Sequence, residues 1–253
     1  METGAITPYI DVAQVVLYVF WAFFAGLIYY LVRENHREGY PMDSGRENGP
    51  KITGWPIPDP VSYKMPDGRV LLAPDVNRPD GTYQAEPSHP WIGAPLEPVG
   101  DPLLAGVGPG AWAQRADLPD MMSTHGELRI VPLRAHPDHG VAPQDVDPRG
   151  LSVIGKDGAV AGHVVDLWVD RAEIAFRYLE VQLPDARTVL LPVPFCRIKA
   201  SGVKVGALLA SQFANVPQLR NPDQITLLEE EKISAYYGAG LLYATADIQE
   251  PLF

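Results

Sequence analysis

Residues 12–32 read VAQVVLYVFWAFFAGLIYYLV, and this stretch decides how the chain is organised. The run is apolar throughout, with one strongly polar residue, Gln14, and no charged residue. A helix of this length, rising about 1.5 Å per residue, is about 31 Å long, which matches the hydrocarbon core of a bilayer. No second stretch is comparably long and apolar. The sequence therefore predicts a single transmembrane helix over residues 12–32.

Positive charge near this helix lies only on its C-terminal side. Residues 1–11 contain no Lys or Arg, whereas Arg33, Arg37, Arg46 and Lys51 follow the helix. Segments rich in Lys and Arg stay on the cytoplasmic side of a membrane. We therefore expect residues 1–11 on the outer side and the large C-terminal part in the cytoplasm.

The inner end of the helix carries residues suited to the headgroup layer of the membrane. Tyr29 and Tyr30 have amphipathic rings that favour the membrane–water interface, and Arg33 and Arg37 follow closely. We expect these four side chains to contact lipid headgroups. A cleaved signal peptide is the alternative, but a basic start is missing and the apolar core is too long for one.

Composition excludes several classes of function. The net charge is -11 and the pI is about 4.9, which argues against nucleic acid as a partner, because such binding rests on Lys and Arg. The only cysteine, Cys196, cannot form an internal disulfide, a cysteine zinc site or an iron–sulfur cluster. One thiol fits a reducing cytoplasm, and we interpret Cys196 as a small core residue of an apolar strand.

Residues 33–126 are predicted to form an extended segment on a surface. Residues 41–110 hold 14 of the 26 prolines, so regular structure cannot run far there. Aromatic and apolar residues are spaced through the same stretch, which suggests that it orders against a partner. Within it, Ser62–Lys64 and Arg69–Leu72, joined by Pro66, Asp67 and Gly68, predict a small hairpin.

Residues 127–222 are predicted to form a compact β domain. Short β-rich runs separated by turn signals indicate an antiparallel sheet or barrel with little helix between its strands. The six runs are 128–133, 160–169, 176–183, 188–191, 195–199 and 203–208.

Residues 223–253 are predicted to form a C-terminal helix and tail. Thr226 and Glu229 have the spacing of a capping box, with Thr226 as the N-cap. An apolar stripe at helical spacing follows, and it either packs onto the β domain or docks another subunit. Its members are Ile233, Tyr236, Tyr237, Gly240, Leu241 and Ala244.

Motifs of known enzymes are missing. The sequence has no phosphate loop, GxSxG, HExxH or complete dinucleotide fingerprint, and Gly106–Gly110 is interpreted as a loop. His136 and His139 could form a metal pair, but Pro137 between them breaks helical geometry, so a solvated loop is favoured. We expect no catalytic residue, no directly bound cofactor and no metal site.

Ionisable residues are most concentrated between Asp166 and Arg177. Asp166, Asp170 and Glu173 lie within twelve residues of one another, together with two arginines. Carboxylates held close together titrate as a coupled group and can hold protons near neutral pH. A solvated strand edge is the alternative. A second polar cluster, Asp120, His125 and Glu127, precedes the first strand, with a surface loop as its alternative.

Several motifs, in order along nearly the whole chain, resemble one family, the H subunit of the purple-bacterial photosynthetic reaction centre. They are Gly26–Leu31 (GLIYYL), Arg37–Pro41 (REGYP), Val107–Pro109 (VGP), Asp117–Pro119 (DLP), Val165–Asp170 (VDLWVD), Arg177–Glu180 (RYLE), Leu227–Glu230 (LLEE) and Gly240–Ala244 (GLLYA).

The resemblance implies one membrane helix, an extended surface segment and a cytoplasmic PRC-barrel, in a bacterial inner (chromatophore) membrane with a periplasmic N-terminus. Its partners would be the L and M subunits and membrane lipids, with a cytochrome subunit and light-harvesting antenna as further candidates. L and M would hold the bacteriochlorophyll, bacteriopheophytin, quinones, non-haem iron and carotenoid, and the H subunit none. The chain would cap L and M, stabilise the quinone region and assist proton transfer to the secondary quinone.

The resemblance also assigns roles to residues of this chain. Asp170, Glu173 and Arg177 match positions on the family's proton path. In relatives an acid and two histidines follow the Asp-Leu-Pro motif and form a proton entrance that binds metal. Here one histidine remains, so we expect an entrance rebuilt from Asp120, His125 and Glu127.

Two other classes of function are weighed against this one. A membrane-anchored enzyme of unrecognised type predicts activity in the cytoplasmic domain, and the missing motifs count against it. A PRC-barrel adaptor that recruits another factor to the membrane would need only a tether, not a long segment rich in proline and aromatic residues.

Overall fold

A computed structural model of the chain describes residues 4–7, 9–40, 42, 54–65, 68–75, 77, 82–91, 93–122, 126–136 and 138–248. The chain divides into two compact units. The first comprises Met1–Asp80 and Pro90–Gly93, and the second comprises Gly81–His89 and Ala94–Phe253.

The apolar run forms helix α1, Val12–Asn35, which ends three residues beyond the predicted span. Two short antiparallel strands, β1 (Ala5–Thr7) and β2 (Ile10–Asp11), precede it. The Asp11 carboxylate accepts the Gln14 N–H at 2.7 Å, and the Gln14 side chain accepts the Asp11 N–H. The single strongly polar residue of the run is thus a helix-capping residue.

Helix α1 has the properties of a membrane span. Its mean hydropathy is 2.2 over the most apolar window, and none of its residues is buried within the protein. In the described part of the chain it is the one helix long and apolar enough to cross a membrane. The prediction of a single candidate span is confirmed for those residues.

The predicted hairpin of the first unit is confirmed. Strand β3 (Val61–Lys64) pairs antiparallel with β4 (Val70–Ala73). Pro66 and Asp67, which were predicted for its turn, lie outside the described residues. Its apolar side chains are about half exposed, as expected of a segment that does not form a core of its own.

The second unit is built on one seven-stranded sheet, and a separate pair of short strands, β5 (Ala85–Pro87) and β6 (Leu96–Pro98), precedes it. The strands of the sheet are β7 (Ile130–Pro132), β8 (Ser152–Ile154), β9 (Val160–Asp170), β10 (Ala175–Gln182), β11 (Thr188–Pro192), β12 (Cys196–Lys199) and β13 (Gly202–Val205).

The order of the sheet is β11-β10-β9-β8-β13-β12, with β7 paired to β9. The edges β11 and β12 do not pair, so the sheet does not close into a complete barrel among the described residues. One strand pair of this mainly antiparallel sheet is different, because β8 and β13 are parallel. Strand β8 was missed because it is only three residues long, too short to show an alternating pattern.

Helix α2, Leu227–Tyr243, begins as predicted. The Thr226 hydroxyl accepts the Glu229 N–H at 3.1 Å, and the Glu229 carboxylate accepts the Thr226 N–H at 2.9 Å. Ile233, Tyr236 and Tyr237 are fully buried in the core, which confirms that the apolar stripe packs onto the β domain. Leu241, which was assigned to the same stripe, is 58% exposed and does not belong to it.

The glycine-rich loop has a packing role. Gly108–Gly110 form a single 3-10 turn that lies against helix α2. A Cβ on Gly110 would lie 2.9 Å from the Cβ of Ala239, so only glycine permits this approach.

Candidate functional site

The turn between β9 and β10 positions the predicted proton-transfer residues. Asp170 ends β9, and its side chain is fully buried. Its Oδ1 accepts the backbone N–H groups of Ala172 at 3.0 Å and Glu173 at 3.1 Å, which fixes the turn. Glu173 is about half exposed at the tip, so one carboxylate is fixed inside and its neighbour faces solvent.

Arg129 joins three carboxylates at this turn. Its guanidinium lies 3.0 Å from Asp170, 3.1 Å from Asp120 and 2.8 Å from Glu173. Sequence reasoning missed Arg129, because it is 41 residues from Asp170 and no spacing pattern links the two. The cluster of Asp120, Arg129, Asp170, Glu173 and Arg177 is called the Asp170 cluster below.

Arg177 acts on the cluster over a longer distance. Its Nε lies 3.6 Å from Asp170 Oδ2, and its Nη1 lies 4.0 Å from Glu173 Oε2. These separations exceed a direct hydrogen bond, so Arg177 contributes charge rather than orientation. Its guanidinium is 44% exposed, and solvent weakens that charge.

The surroundings of Asp170 favour its ionised form. Burial alone would raise the pKa of Asp170, but the hydrogen bonds from Arg129 and from the Glu173 and Ala172 N–H groups outweigh burial and hold that pKa below its usual value. The hydrogen bond with Asp170 correspondingly raises the pKa of Arg129. For Asp170 the shift is opposite to the expectation that the cluster holds protons near neutral pH.

Two of the three residues predicted for the proton entrance lie near this turn. Asp120 contacts Arg129 through its side chain. Two backbone hydrogen bonds, from the Arg129 N–H to the Asp120 oxygen and from the Met122 N–H to the Glu127 oxygen, join the segment of Asp120 to that of Glu127. The carboxylate of Glu127 pairs with Arg171, on the same turn as Glu173. Asp120 therefore belongs to the Asp170 cluster and Glu127 lies at its edge, whereas His125 lies outside the described residues.

Asp166 does not belong to the Asp170 cluster. Asp166 and Asp170 are four positions apart on β9, about 13 Å along an extended strand, so their carboxylates are not close neighbours. Asp166 lies 3.0 Å from Arg134 Nη1, which also lies 2.5 Å from Glu180. The Trp168 indole N–H donates to the same Glu180 oxygen at 2.9 Å. Grouping Asp166 with Asp170 overlooked the length of an extended strand.

A third polar group lies beside the Asp170 cluster. The Tyr178 hydroxyl donates to Glu230 at 2.8 Å, and burial raises the pKa of Glu230 above its usual value. Glu230, Tyr178, Arg177 and Glu173 line one open cavity of about 370 Å³. The sequence analysis named Glu230 only as part of the Leu227–Glu230 motif.

The predicted headgroup residues occupy the end of α1. Tyr29 and Tyr30 are about half exposed, as residues facing a membrane interface require. Arg37 donates to the backbone oxygens of Asp59 and Ala73 and pairs with Glu34 at 2.6 Å, so its guanidinium fastens the chain that follows the helix. Arg33 lies 3.6 Å from Asp59. The contact of these four residues with lipid headgroups stays a prediction.

Three remaining residues were considered for chemistry. Cys196 begins β12, and its burial raises the pKa of the thiol to about 11, so it is a neutral packing group. The Nδ1 atoms of His136 and His139 are 3.1 Å apart. The interpretation of this segment as a solvated loop did not predict so close an approach. Across the described ranges no three His, Cys, Asp or Glu side chains are grouped to hold a metal ion.

Comparison with known families identifies the class to which the β domain belongs. Residues 144–208 match the PRC-barrel domain. This region begins before β8 and extends three residues beyond β13, and it includes the turn that carries Asp170 and Glu173. The domain is therefore a PRC-barrel, with the open sheet order given above.

Residues 4–135, just over half of the chain, match the N-terminal region of the photosynthetic reaction centre H-chain. The chain belongs to the photosynthetic reaction centre H-chain family, as the sequence motifs predicted. It is a structural subunit of a reaction centre, it associates with other subunits of that complex, and its family is associated with membranes.

Proposed function

We propose that this chain caps the L and M subunits on the cytoplasmic side, stabilises the quinone region and assists proton transfer to the secondary quinone. L and M would hold the pigments, quinones and iron, and this chain would supply protein groups only. The Asp170 cluster is the observation that carries the proposal. It combines buried and solvent-facing carboxylates at one turn of a subunit that belongs to an electron-transfer complex.

The distribution of charge supports the cytoplasmic orientation. Arg33 and Arg37 stand at the C-terminal end of α1, and no Lys or Arg precedes the helix. The PRC-barrel domain would then face the compartment from which the protons come. A chain inserted the other way would place its carboxylates on the wrong side of the membrane.

The chemistry of quinone reduction requires such a route. Conversion of a quinone to a quinol consumes two electrons and two protons, and a quinone buried in protein has no direct contact with bulk water. Moving a charged side chain through a medium of low dielectric is costly. Carboxylates and waters that pass a proton from one to the next avoid that cost.

Members of the Asp170 cluster would have different tasks. Guanidinium groups stay protonated, so Arg129 and Arg177 hold anions in place and do not exchange protons. Asp170, with its lowered pKa, is a fixed anion that attracts protons to the turn. Glu173 contacts Arg129 and is about half exposed, so it is the member of the cluster placed to relay protons between solvent and the turn.

A route from this turn can be traced through described residues. The carboxylates of Asp120 and Glu127 are partly exposed, and Glu173 lies at the tip of the turn. The open cavity that Glu173 lines also reaches Glu230 and Tyr178 and has space for water. Glu230, whose pKa is raised by burial, is suited to hold a proton inside the cavity.

The substitution Glu173→Gln tests this role in the assembled complex. It removes a titrating group and nearly keeps its shape. The first electron transfer to the secondary quinone requires no proton on the quinone and should be nearly unchanged. The second should slow by about tenfold or more at high pH, because positioned proton-transfer groups contribute roughly 10²–10⁴-fold and water supplies only part of that. Flash-induced kinetics from about pH 6 to 10 measure both steps.

Asp185→Asn is the matched control. Asp185 is an arginine-paired carboxylate of similar exposure, 49% against 54% for Glu173, at the opposite hairpin between β10 and β11. The control should leave both electron transfers at wild-type rates. Equal kinetics in wild type and Glu173→Gln across the pH range would refute the proposed role of the Asp170 cluster.

A further inference from the structure

The two histidines of the sequence His136-Pro-Asp-His139 form a close pair in the second unit. Their Nδ1 atoms are 3.1 Å apart, and their ring centroids are 4.9 Å apart. Both residues are half-buried. The pair has no part in the Asp170 cluster or in the route from it.

Backbone turns hold the pair in place. Leu133–Ala135 form a 3-10 turn, and the His136 N–H closes it on the Leu133 oxygen at 2.9 Å. The His139 N–H then bonds the His136 oxygen at 3.3 Å, which brings the second imidazole back over the first. The two rings therefore need no helix to come together, because a turn from His136 to His139 also brings them together.

The separation of the two nitrogens suits one metal ion. An ion at the usual distance of about 2.0–2.1 Å from each histidine nitrogen would see them at an angle of about 95–100°. That angle is close to the right angle between neighbouring positions in tetragonal coordination, which Cu²⁺ and Ni²⁺ prefer. Without an ion the same distance fits a hydrogen bond between one Nδ1–H and the other Nδ1.

The neighbouring groups define what kind of site this is. His139 lines an open cavity together with Arg134, Asp166 and Glu180. Arg134 already occupies both of those carboxylates, so they are not available as ligands. Asp138, between the histidines, is exposed. Water would fill the remaining positions, and a site with two protein ligands exchanges its ion with solvent.

We propose that His136 and His139 form an exchangeable surface site for one divalent transition-metal ion, with Cu²⁺ bound most tightly and Ni²⁺ and Zn²⁺ more weakly. The order follows the general preference of nitrogen sites among these ions. The site is independent of the proposed function, so the failure of either leaves the other standing.

Calorimetric titration of the untagged full-length chain in detergent with Cu²⁺ tests the proposal. Every chain in this experiment carries His125→Gln, so that the other candidate histidine cannot contribute. The chain with this change alone is the reference and is called wild type in this experiment. We expect one ion per chain. His136→Gln and His139→Gln should each weaken binding about tenfold or more, because removing even an outer-sphere partner of a histidine ligand costs about 10–100-fold.

Paramagnetic resonance of the Cu²⁺ complex gives an independent readout. The wild-type spectrum should show coupling to two imidazole nitrogens, and each single variant should show one. His163→Gln, which removes an exposed histidine of β9, is the matched control and should keep full affinity and both nitrogens. Unchanged melting temperatures should accompany the loss of binding.

Three results would overturn the site: no binding by the wild-type chain, equal affinity in all variants, or dependence on only one of the two histidines. The first would mean that the pair is held only by its hydrogen bond. The second would place the ion elsewhere on the chain, and the third would reduce the site to a single surface imidazole.

Discussion

At the scale of single residues, arginines organise the carboxylates of this protein. Arg129 gathers Asp120, Asp170 and Glu173, and Arg134 gathers Asp166 and Glu180. Asp120, Asp166, Asp170 and Glu173 could be singled out from the sequence, because each stands near other ionisable residues along the chain. For Asp166, Asp170 and Glu173 these arginine partners come from segments more than 30 residues away, and no local pattern reveals such pairs.

Asp170→Asn tests how far the negative charge of Asp170 stabilises the fold. The variant keeps the shape but loses the anion that faces Arg129, so the unfolding free energy at pH 7 should fall by about 1–3 kcal/mol. The folded-state pKa of Asp170 is depressed, so its stabilisation is present above the unfolded pKa of about 3.9 and is lost as pH falls through the folded pKa. Melting of the full-length chain from pH 7 to 3 measures this difference.

The difference in melting temperature between wild type and Asp170→Asn should therefore be full at pH 7 and shrink in acid. Asp185→Asn, with a half-exposed carboxylate, should change stability little at either pH. A difference that stays constant down to pH 3 would show that charge is not the source of the stabilisation.

Ile174 is a second residue whose contribution to stability can be tested, because its backbone conformation is strained. It follows Glu173 in the turn, has a positive φ of 52° and is 76% exposed. A left-handed conformation costs a β-branched residue about 1–2 kcal/mol, and glycine relieves that cost while losing up to about 1 kcal/mol to its flexible unfolded chain. Ile174→Gly should thus raise the melting temperature of the chain slightly.

Ala186→Gly, at a φ of 67° in another turn, provides the comparison for Ile174→Gly and should act in the same direction with a smaller gain. A clear loss of stability for Ile174→Gly in the isolated chain would mean that the Ile174 side chain contributes more than its exposure suggests.

At the scale of secondary-structure elements, long or capped patterns were predictable and short or paired features were not. The run from Val12 predicted α1, and Thr226 with Glu229 predicted the start of α2. Strand β8 is only three residues long, and its parallel partner β13 is distant in sequence, so neither the strand nor its direction was predictable. The approach of His136 to His139 depends on two turns that carry no strong signal in the sequence.

Gly240→Ala tests the packing of α2 against the β domain. Alanine in a helix interior normally gains about 1 kcal/mol over glycine. Here an added Cβ would run into the Ala207 backbone oxygen and the Leu208 side chain, so we expect a net loss of about 1–3 kcal/mol instead.

Chemical denaturation of the full-length chain measures the effect of Gly240→Ala. Gly140→Ala is the matched control, because no heavy atom lies within 4 Å of its added Cβ. A gain in stability for Gly240→Ala would mean that α2 does not pack against Ala207 as described.

At the scale of the whole molecule, the chain joins an apolar helix that is long enough to span a membrane to a PRC-barrel domain, in a family of reaction-centre subunits. The sequence predicted this organisation because the apolar run and the dispersed motifs span nearly the whole chain. The proposed route for protons depends on side chains from the segment before β7, from β9, β10 and the turn between them, and from α2, which only the fold brings together. That is why residues such as Arg129 and Glu230 emerged from the structure.

The central claim is that protons for the second electron transfer pass through this chain. The most direct test removes the chain from the purified complex and adds it back as wild type or as Glu173→Gln with Glu230→Gln. Pigment spectrum and subunit ratio verify equal assembly. The rate of the second electron transfer near pH 9 should recover with the wild-type chain and stay slow with the double variant. Equal recovery with both chains would contradict the claim.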